Sequence, residues 1–552
     1  MSDMITPVDM LMKWSRERGD KTWLVQPQGA RTLSWNWKQA EAESRKLAGA
    51  LLAMGLKRGD RVAISGRNTA HWFLVDCACG LAGLVAVGLY PKQSPDAVTF
   101  ILKHSEAKVL FLGPMMDGAE FIGAVPKDIP TIGFPYADAP TAQQTWDEVV
   151  SKGTPVEGYQ RPARDDLAAL IYTSGTTGNP KGVMITWGNV TFAAEQTLKV
   201  MPSQGEERFF SYLPLAHAFE RGAVLGLSTY LGAEVHFLEN LDKLAEQLPR
   251  VGPTRFYGVP LVYGRFQSGV LRKMPQDKLA RLTGIPILGG FIRKKILKGL
   301  GLHNARYIFS GAAPLPIPVM NWFKQYLKVD LLQGYGMTEN SIYATANLPH
   351  QNRLGSVGKP MPDSGFKLSE EGEILFKHPG VMAGYYKEPE KTKETFTEDG
   401  YLRTGDKGRQ DADGYVYITG RVKDIFKTLK GKYVSPAPIE GQLARNVDID
   451  QLCLVGSGLT QPLMLVSLLP GVAKNKPRAQ LDKELIADMK IVNENLEAHE
   501  QIAKLVVVKE AWTIDNGVMT PTMKVKRNEI EKRYAAIIEK EGAIRSQIAW
   551  EE

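Results

Sequence analysis

Short apolar runs of four or five residues, each trailed by a helical pattern or a loop, recur through the first 420 residues. They include Arg61–Ser65, Leu84–Gly88, Val109–Leu112, Ala168–Tyr172, Glu234–Phe237 and Tyr307–Ser310. Short strands separated by helices are expected to lie in parallel sheets with helices on their faces, an α/β class of fold. One such helix is read at Asn189–Leu198, with Asn189 placed to cap its start. At 552 residues the chain is too long for one core, so two or more domains are expected.

The texture changes after Lys359. Phe366–Leu368, Gly372–Phe376, Tyr401–Arg403 and Tyr415–Ile418 read as short strands with tight turns, a β-barrel-like subdomain, and Asp413-Gly414 is a hairpin signal. Beyond Arg421 a compact α+β unit follows, with strands at Leu452–Gly456, Leu463–Leu469 and Leu505–Val508. Residues 471–481 read as an exposed loop, and a charged helix from about Lys526 to Gln547 ends the chain. The expected division is a large domain at 1–420, a joint at 421–424 and a small domain at 425–552.

Charge and cysteine narrow the function classes. The net charge is +8, but residues 421–552 carry 20 Lys and Arg against 18 Asp and Glu, so no basic tail points to nucleic acid. Acidic small molecules suit the mild excess better. Cys77, Cys79 and Cys453 make no disulfide framework, which favours a reducing compartment, and the N-terminus lacks a signal-peptide layout. Trp72–Tyr90 is almost uncharged over nineteen residues, but Asp76, three glycines and Pro91 favour a buried helix leading into a buried strand.

The strongest chemical signal is YTSGTTGNPKG at residues 172–182, fed by the apolar strand Leu167–Tyr172. A strand running into such a loop lets successive N–H groups surround phosphate oxygens. Ser174, Thr176 and Thr177 add hydroxyls, Gly175 and Gly178 free the backbone, and Lys181 brings charge. The spacing differs from a P-loop, since Lys181 follows Gly178 by three positions and no Ser or Thr comes after it.

Four more segments point to nucleotide chemistry. In QGYGMTE (333–339), Gly334 and Gly336 admit a close ligand, Tyr335 offers a flat face, Thr338 a donor and Glu339 a hard ligand for Mg²⁺. In YLRTGD, Asp406 can accept both hydroxyls of a ribose, and in GRVKD, Arg421 can fork onto ribose or phosphate oxygens. In TPTMK, Thr520, Pro521 and Thr522 form a rigid approach to Lys524.

Together, in this order and spacing, these segments resemble the acyl-adenylate-forming superfamily over nearly the whole chain. Within it, LPLAHAFERG (213–222), SGAAPL (310–315) and TLKGKYVSPAPIE (428–440) look most like long-chain fatty acyl-CoA synthetases. The resemblance implies ATP and CoA as co-substrates and Mg²⁺ as cofactor, with activation of a fatty acid through acyl-AMP followed by transfer to CoA. It implies that Thr173 to Gly178 and Lys181 hold the β- and γ-phosphates. Tyr335 would pack on adenine beside Gly311, Ala312, Ala313, Gly334, Gly336 and Met337, with Thr338 at the α-phosphate. Thr176 and Glu339 would hold the metal, Asp406 and Arg421 the ribose, and His217 would sit at the mouth for the acid. Lys524 would bridge carboxylate and α-phosphate, Lys423 would be the pivot, and the glycine turn at Gly431 would meet the pantetheine arm of CoA.

The acid itself is open between long-chain, medium-chain and aryl acids, with a catalytically silent nucleotide-binding protein as the reading from another class. Candidate walls for an acyl tunnel are Phe209–Leu215, Phe256–Val262 and Phe309–Ala313. The stretch 289–303 mixes basic and apolar residues at helical spacing; a solvated helix is the favoured reading, and the alternative is a cytoplasmic enzyme that touches an anionic membrane at its inner face. No oligomeric state is implied.

Overall fold

The computed structural model describes residues 4–552 except 174–178, 447, 495 and 521–523. Among the described residues, the alternating runs resolve into two large sheets. The first places Val85–Leu89 beside Arg61–Ser65 and Leu167–Thr173, with Ala107–Leu112, Thr131–Gly133 and Gln144–Thr145 continuing on one side. Pairing is parallel, apart from the hairpin of Leu167–Thr173 with Lys181–Thr186 and the edge strand Gly384–Tyr385. All five residues of Val85–Leu89 are buried, as expected of a strand covered on both faces.

The second sheet carries Leu332–Tyr335, Tyr307–Ser310, Arg255–Gly258, Arg208–Ser211, Glu234–Phe237 and Thr22–Gln28 in that order. Between the two sheets runs the helix Ala70–Ala82, capped by the Thr69 side chain and ended at Gly83, whose φ of 69° suits glycine. Its residues share one hydrophobic cluster with strands from both sheets. The uncharged run Trp72–Tyr90 is thus a buried helix followed by a buried strand. Among the described residues no helix is long and apolar enough to cross a membrane.

Lys367–Leu368, Glu373–Phe376, Leu402–Gln410 and Val416–Arg421 form an antiparallel unit that closes over Ala344 and Val357. Its last hairpin turns at Gly414, with φ 87°.

Beyond it stands a separate small domain. Ile449–Val455, Leu463–Leu468, Lys504–Val507 and Ile548–Trp550 form its sheet. One face is covered by the helices Pro436–Leu443 and Arg478–Asn493, the other by Trp512 and Arg527–Arg533. Both hydrophobic clusters draw only on residues from Phe426 onward, so this unit has a core of its own.

Several local expectations are corrected. Thr186, not Asn189, caps the helix Trp187–Val200, and Asn189 is the reciprocal third residue of a capping box. The supposed loop 471–481 holds the turn Val472–Asn475 and the start of Arg478–Asn493, because Pro477 stands at the N-cap, where a missing N–H costs little. The terminal helix is broken at Tyr534 into Arg527–Arg533 and Ala535–Ala543, and the strand Ile548–Trp550 follows. The strand Leu332–Tyr335 runs into the QGYGMTE segment and puts Gly334 and Tyr335 on the sheet itself.

Candidate active site

One cavity of about 1840 Å³ lies where the two sheets, the antiparallel unit and the small domain meet. The hairpin Leu167–Thr173/Lys181–Thr186 brings Thr173 opposite Lys181, and both line the cavity. Ser174, Gly175, Thr176, Thr177 and Gly178 lie outside the described residues. Lys181 Nζ sits 4.8 Å over the ring of Tyr385, whose hydroxyl donates to Glu339 Oε1 at 2.9 Å. Burial pushes the Glu339 carboxyl up, while the Tyr385 hydrogen bond and the charges of Lys181 and Arg421 pull it down.

The strand Leu332–Tyr335 delivers Gly334 and Tyr335 to the cavity wall. Gly336 follows where a Cβ would stand 2.5 Å from the Ile342 carbonyl, so the turn into Met337 and Thr338–Asn340 requires glycine. Tyr335 donates its hydroxyl to Asp406 Oδ2 at 2.6 Å, and Arg421 Nε lies 3.0 Å from Asp406 Oδ1. Asp406 and Arg421 face each other across the last hairpin of the antiparallel unit. Gly311, Ala312 and Ala313 line the same cavity, with Ala312 held at φ 66°.

His217 caps a short helical turn, and its Nδ1 accepts the Phe219 N–H at 3.1 Å. That bond leaves the ring proton on Nε2. Burial, and secondarily the charge of Lys524, lower its pKa to about 4, so the ring is neutral near pH 7. Asn68 fixes this loop from the neighbouring sheet, donating to Ser211 Oγ (2.9 Å) and the Leu213 carbonyl (2.6 Å) and accepting the Leu215 N–H (3.0 Å).

Lys524 comes from the small domain. The Thr520 N–H donates to the Lys524 carbonyl at 2.8 Å, and the Lys524 N–H donates to Thr520 Oγ1 at 3.0 Å; Pro521, Thr522 and Met523 lie outside the described residues. The side chain is open to the cavity, and its ammonium makes no hydrogen bond or ion pair among the described residues. Desolvation in the cleft, then the charge of Arg421, lower its pKa, and Asp406 and Glu339 oppose that fall. A cation without a partner among the described residues, within electrostatic reach of Asp406 and Glu339, is placed to meet an anionic ligand.

Two matches bear on identity: the AMP-binding enzyme family matches residues 11–386, and the AMP-binding enzyme C-terminal domain matches residues 423–541. The chain is an AMP-binding enzyme. It is 30% identical to fatty acyl-CoA synthetase A of Dictyostelium discoideum, over 95% of this chain and 86% of that protein. It is also 30% identical to the peroxisomal long chain acyl-CoA synthetase 7 of Arabidopsis thaliana, over 92% and 81%. Its fold matches an anthranilate CoA ligase solved with anthranoyl-AMP, at TM-score 0.78 and 23% identity over 97% of this chain and 98% of that one. It likewise matches the A domain of a carboxylic acid reductase from Segniliparus rugosus solved with AMP, at TM-score 0.81 and 21% identity over 98% and 94%.

In this AMP-binding enzyme the cavity continues beyond His217 into an arm that the sequence placed poorly. Phe209–Leu215 contributes nothing to its wall, because those residues are committed to sheet core and to the Asn68 clamp. Of Phe256–Val262 only Tyr257 is reached, while Phe309–Ala313 all line it. Helices supply most of the arm: Phe73 and Gly80 from Ala70–Ala82, Val190 and Ala194 from Trp187–Val200, the π-turn Arg221–Gly226, and Pro7 and Val8 at the chain start. Arg221 Nη1 pairs there with Asp76 Oδ2 at 3.1 Å. Burial pushes the Asp76 carboxyl up and Arg221 draws it back. The lone acid within the apolar run Trp72–Tyr90 was the available signal for this pair. Tyr385 and Asn68 carried none.

Lys423 lines the cavity at the edge of the small domain. Gly431 does not. It sits with φ 75° at the open tip of the ribbon Phe426–Lys427/Tyr433–Val434, away from the wall.

Proposed function

We propose that this AMP-binding enzyme is a fatty acid–CoA ligase that joins a long-chain acid to AMP, releasing pyrophosphate, and then passes the acyl group to CoA with release of AMP. The observation that carries the reading is the single cavity joining the Tyr335–Asp406–Lys524 chamber to the helix-lined arm. At about 1840 Å³ it exceeds the roughly 300–1,000 Å³ of an ordinary ligand pocket, which suits a nucleotide and a long chain held together.

The reacting carboxylate and the α-phosphate are both anionic, so charge neutralisation and alignment are the enzyme's main tasks. Asp406 keeps acceptor capacity on both oxygens after bonding Tyr335 and Arg421, enough for two ribose hydroxyls. The base is assigned to the wall of Tyr335 and Gly311–Ala313, and the phosphates to the 173–178 loop and Lys181. Neutral His217 offers its Nε2 proton to the acid's carboxyl at the mouth of the arm, and Lys524 stands between carboxylate and α-phosphate with Thr338 beside it.

Glu339 is a buried carboxylate on the cavity wall, and that fits Mg²⁺, which is commonly held by one or two carboxylates together with substrate phosphates. Bound there with Thr176, the ion would neutralise phosphate charge. For the second step Lys524 must withdraw, so we assign the pivot to Lys423 and the pantetheine contact to the Gly431 turn after domain rotation.

The free cysteines suit a cytoplasmic enzyme, and peripheral contact with the inner membrane face, where long-chain acids partition, belongs to the same reading. Pyrophosphate release with a panel of carboxylic acids tests it. Long-chain acids are expected to give the highest kcat/KM, a preference for benzoate-like or medium-chain acids would replace the substrate class, and release with none would leave a silent nucleotide binder.

A further inference from the structure

The helices Pro260–Lys273, Gln276–Gly284 and Leu288–Gly299 carry a charge imbalance found nowhere else in the chain. Between Pro260 and Leu300 stand nine Lys or Arg and one acid, Asp277, a surplus of eight that equals the net charge of the whole protein, +8. None of these nine cations forms an ion pair among the described residues, although basic side chains over much of the remaining surface do. Arg265 lies only within electrostatic reach of Asp450.

Beside these charges an apolar edge faces outward. Leu279, Ile296 and Leu297 pack against the second hydrophobic cluster, but Ile285, Ile287, Leu288 and Phe291 are 43%, 85%, 41% and 71% exposed. Ile287 is presented by unusual backbone. Its φ of 66° and ψ of −59°, with the Leu288 N–H donating to the Pro286 carbonyl at 2.7 Å, define a γ-turn of the rare, strained hand. Positive φ is an outlier for a β-branched residue.

The turn is nonetheless held firmly. Gly289 is pressed against Thr283, where a Cβ would fall 2.4 Å from the carbonyl oxygen, and Arg293 Nη2 donates to that same oxygen at 2.6 Å. Strain that holds an isoleucine in water has no return within the isolated fold, and such strain concentrates at sites of contact. Exposed apolar residues beside unpaired cations match an anionic lipid surface, which takes apolar wedges into its headgroup boundary and attracts Lys and Arg.

We propose that the turn Ile285–Phe291, flanked by Lys294, Lys295 and Lys298, is the surface by which this enzyme docks on an anionic phospholipid bilayer. The segment expected from sequence, 289–303, overlaps this surface but misses its wedge, which lies in the turn before the helix. The proposal deepens the membrane contact named with the ligase reading. Its test reads binding without turnover, so either can fail alone.

The test is flotation of the full-length protein with vesicles of phosphatidylglycerol and phosphatidylcholine, and with phosphatidylcholine alone. Co-flotation is expected with the anionic vesicles only, weakening as salt is raised. Ile287→Ser combined with Phe291→Ser should lower the apparent affinity at least about tenfold, given the apolar area withdrawn from the bilayer. Lys294→Gln combined with Lys295→Gln should lower it by roughly fivefold per charge removed. Both variants should keep the wild-type thermal unfolding midpoint, which confirms an intact fold. Wild-type protein that stays in the dense fraction with anionic vesicles overturns the docking. Variants that float like the wild type overturn its assignment to this turn.

Discussion

On the large domain, Tyr335, Asp406 and Arg421 are bonded to one another across strand ends, whereas Lys524 enters the same cavity from the small domain with its ammonium unbonded among the described residues. The first group is held by the sheet it stands on. The second belongs to a domain with its own core, joined to the body by polar contacts such as Lys92–Asp515 at 2.7 Å. The proposed sequence, attack of a carboxylate on the α-phosphorus and then of a thiol on the acyl carbonyl, calls for a nucleotide seat that stays and a cation that leaves. On the proposed function the difference between the halves is functional as well as architectural.

Removing the cation should produce the largest effect. Lys524→Ala is expected to lower acyl-AMP formation by ~10³-fold, the upper scale for one preorganised donor at a developing charge, while thioester formation from supplied acyl-AMP is unchanged. Equal loss in both half-reactions, measured by quenched-flow, would erase the distinction between the two halves.

Breaking the fixed half should act differently. Asp406→Ala strands Tyr335 and Arg421 and should raise the KM for ATP by roughly 10- to 100-fold, matching about 1.5–3 kcal/mol for hydrogen bonds to a charged group. Both half-reactions that need the nucleotide seat should suffer.

Glu220 tests how far the body's half is prebuilt. It accepts from Ser211 Oγ at 2.7 Å and the Tyr212 N–H at 3.1 Å, beneath the His217 loop, and burial pushes its pKa up to about 8. A carboxyl whose pKa is higher folded than unfolded loses stability as pH rises from the unfolded to the folded value. Glu220→Gln, which does not titrate, should gain stability relative to wild type between about pH 5 and pH 8, as read by urea unfolding at each pH. A constant difference would contradict the assignment.

The smallest effect belongs to the seam. Lys92 and Asp515 are both largely exposed, so Lys92→Ala should cost under about 1 kcal/mol and leave adenylation nearly intact in the same pyrophosphate assay.

Much of this was legible in the sequence. Lys524, Asp406, Arg421, Tyr335 and Glu339 lie 189 residues apart at the extremes, yet each stands in a short segment whose residue types suit one part of a nucleotide, and the structure gathers them around one cavity. The strands were legible because burial on both faces demands unbroken apolar runs. The acyl arm was not. Its walls come from helices whose apolar residues look the same whether they face a cavity or a neighbour, so Val190, Ala194 and Gly80 carry no local mark. Gly431 shows another limit, since a glycine turn states its backbone freedom and not its place in a given domain arrangement. Ile287 was missed for a related reason: nothing in GIPILGG announces a γ-turn, and its exposure depends on Thr283 and Arg293 holding the turn outward.

The central claim is that Lys524 belongs to the site for one half-reaction and must leave for the other. Its most direct test replaces Lys92 and Asp515 by cysteines and joins them with a short bismaleimide, locking the seam observed here. The locked enzyme should form acyl-AMP at close to the wild-type rate and make no acyl-CoA. Thioester formation at full rate in the locked enzyme would contradict the account.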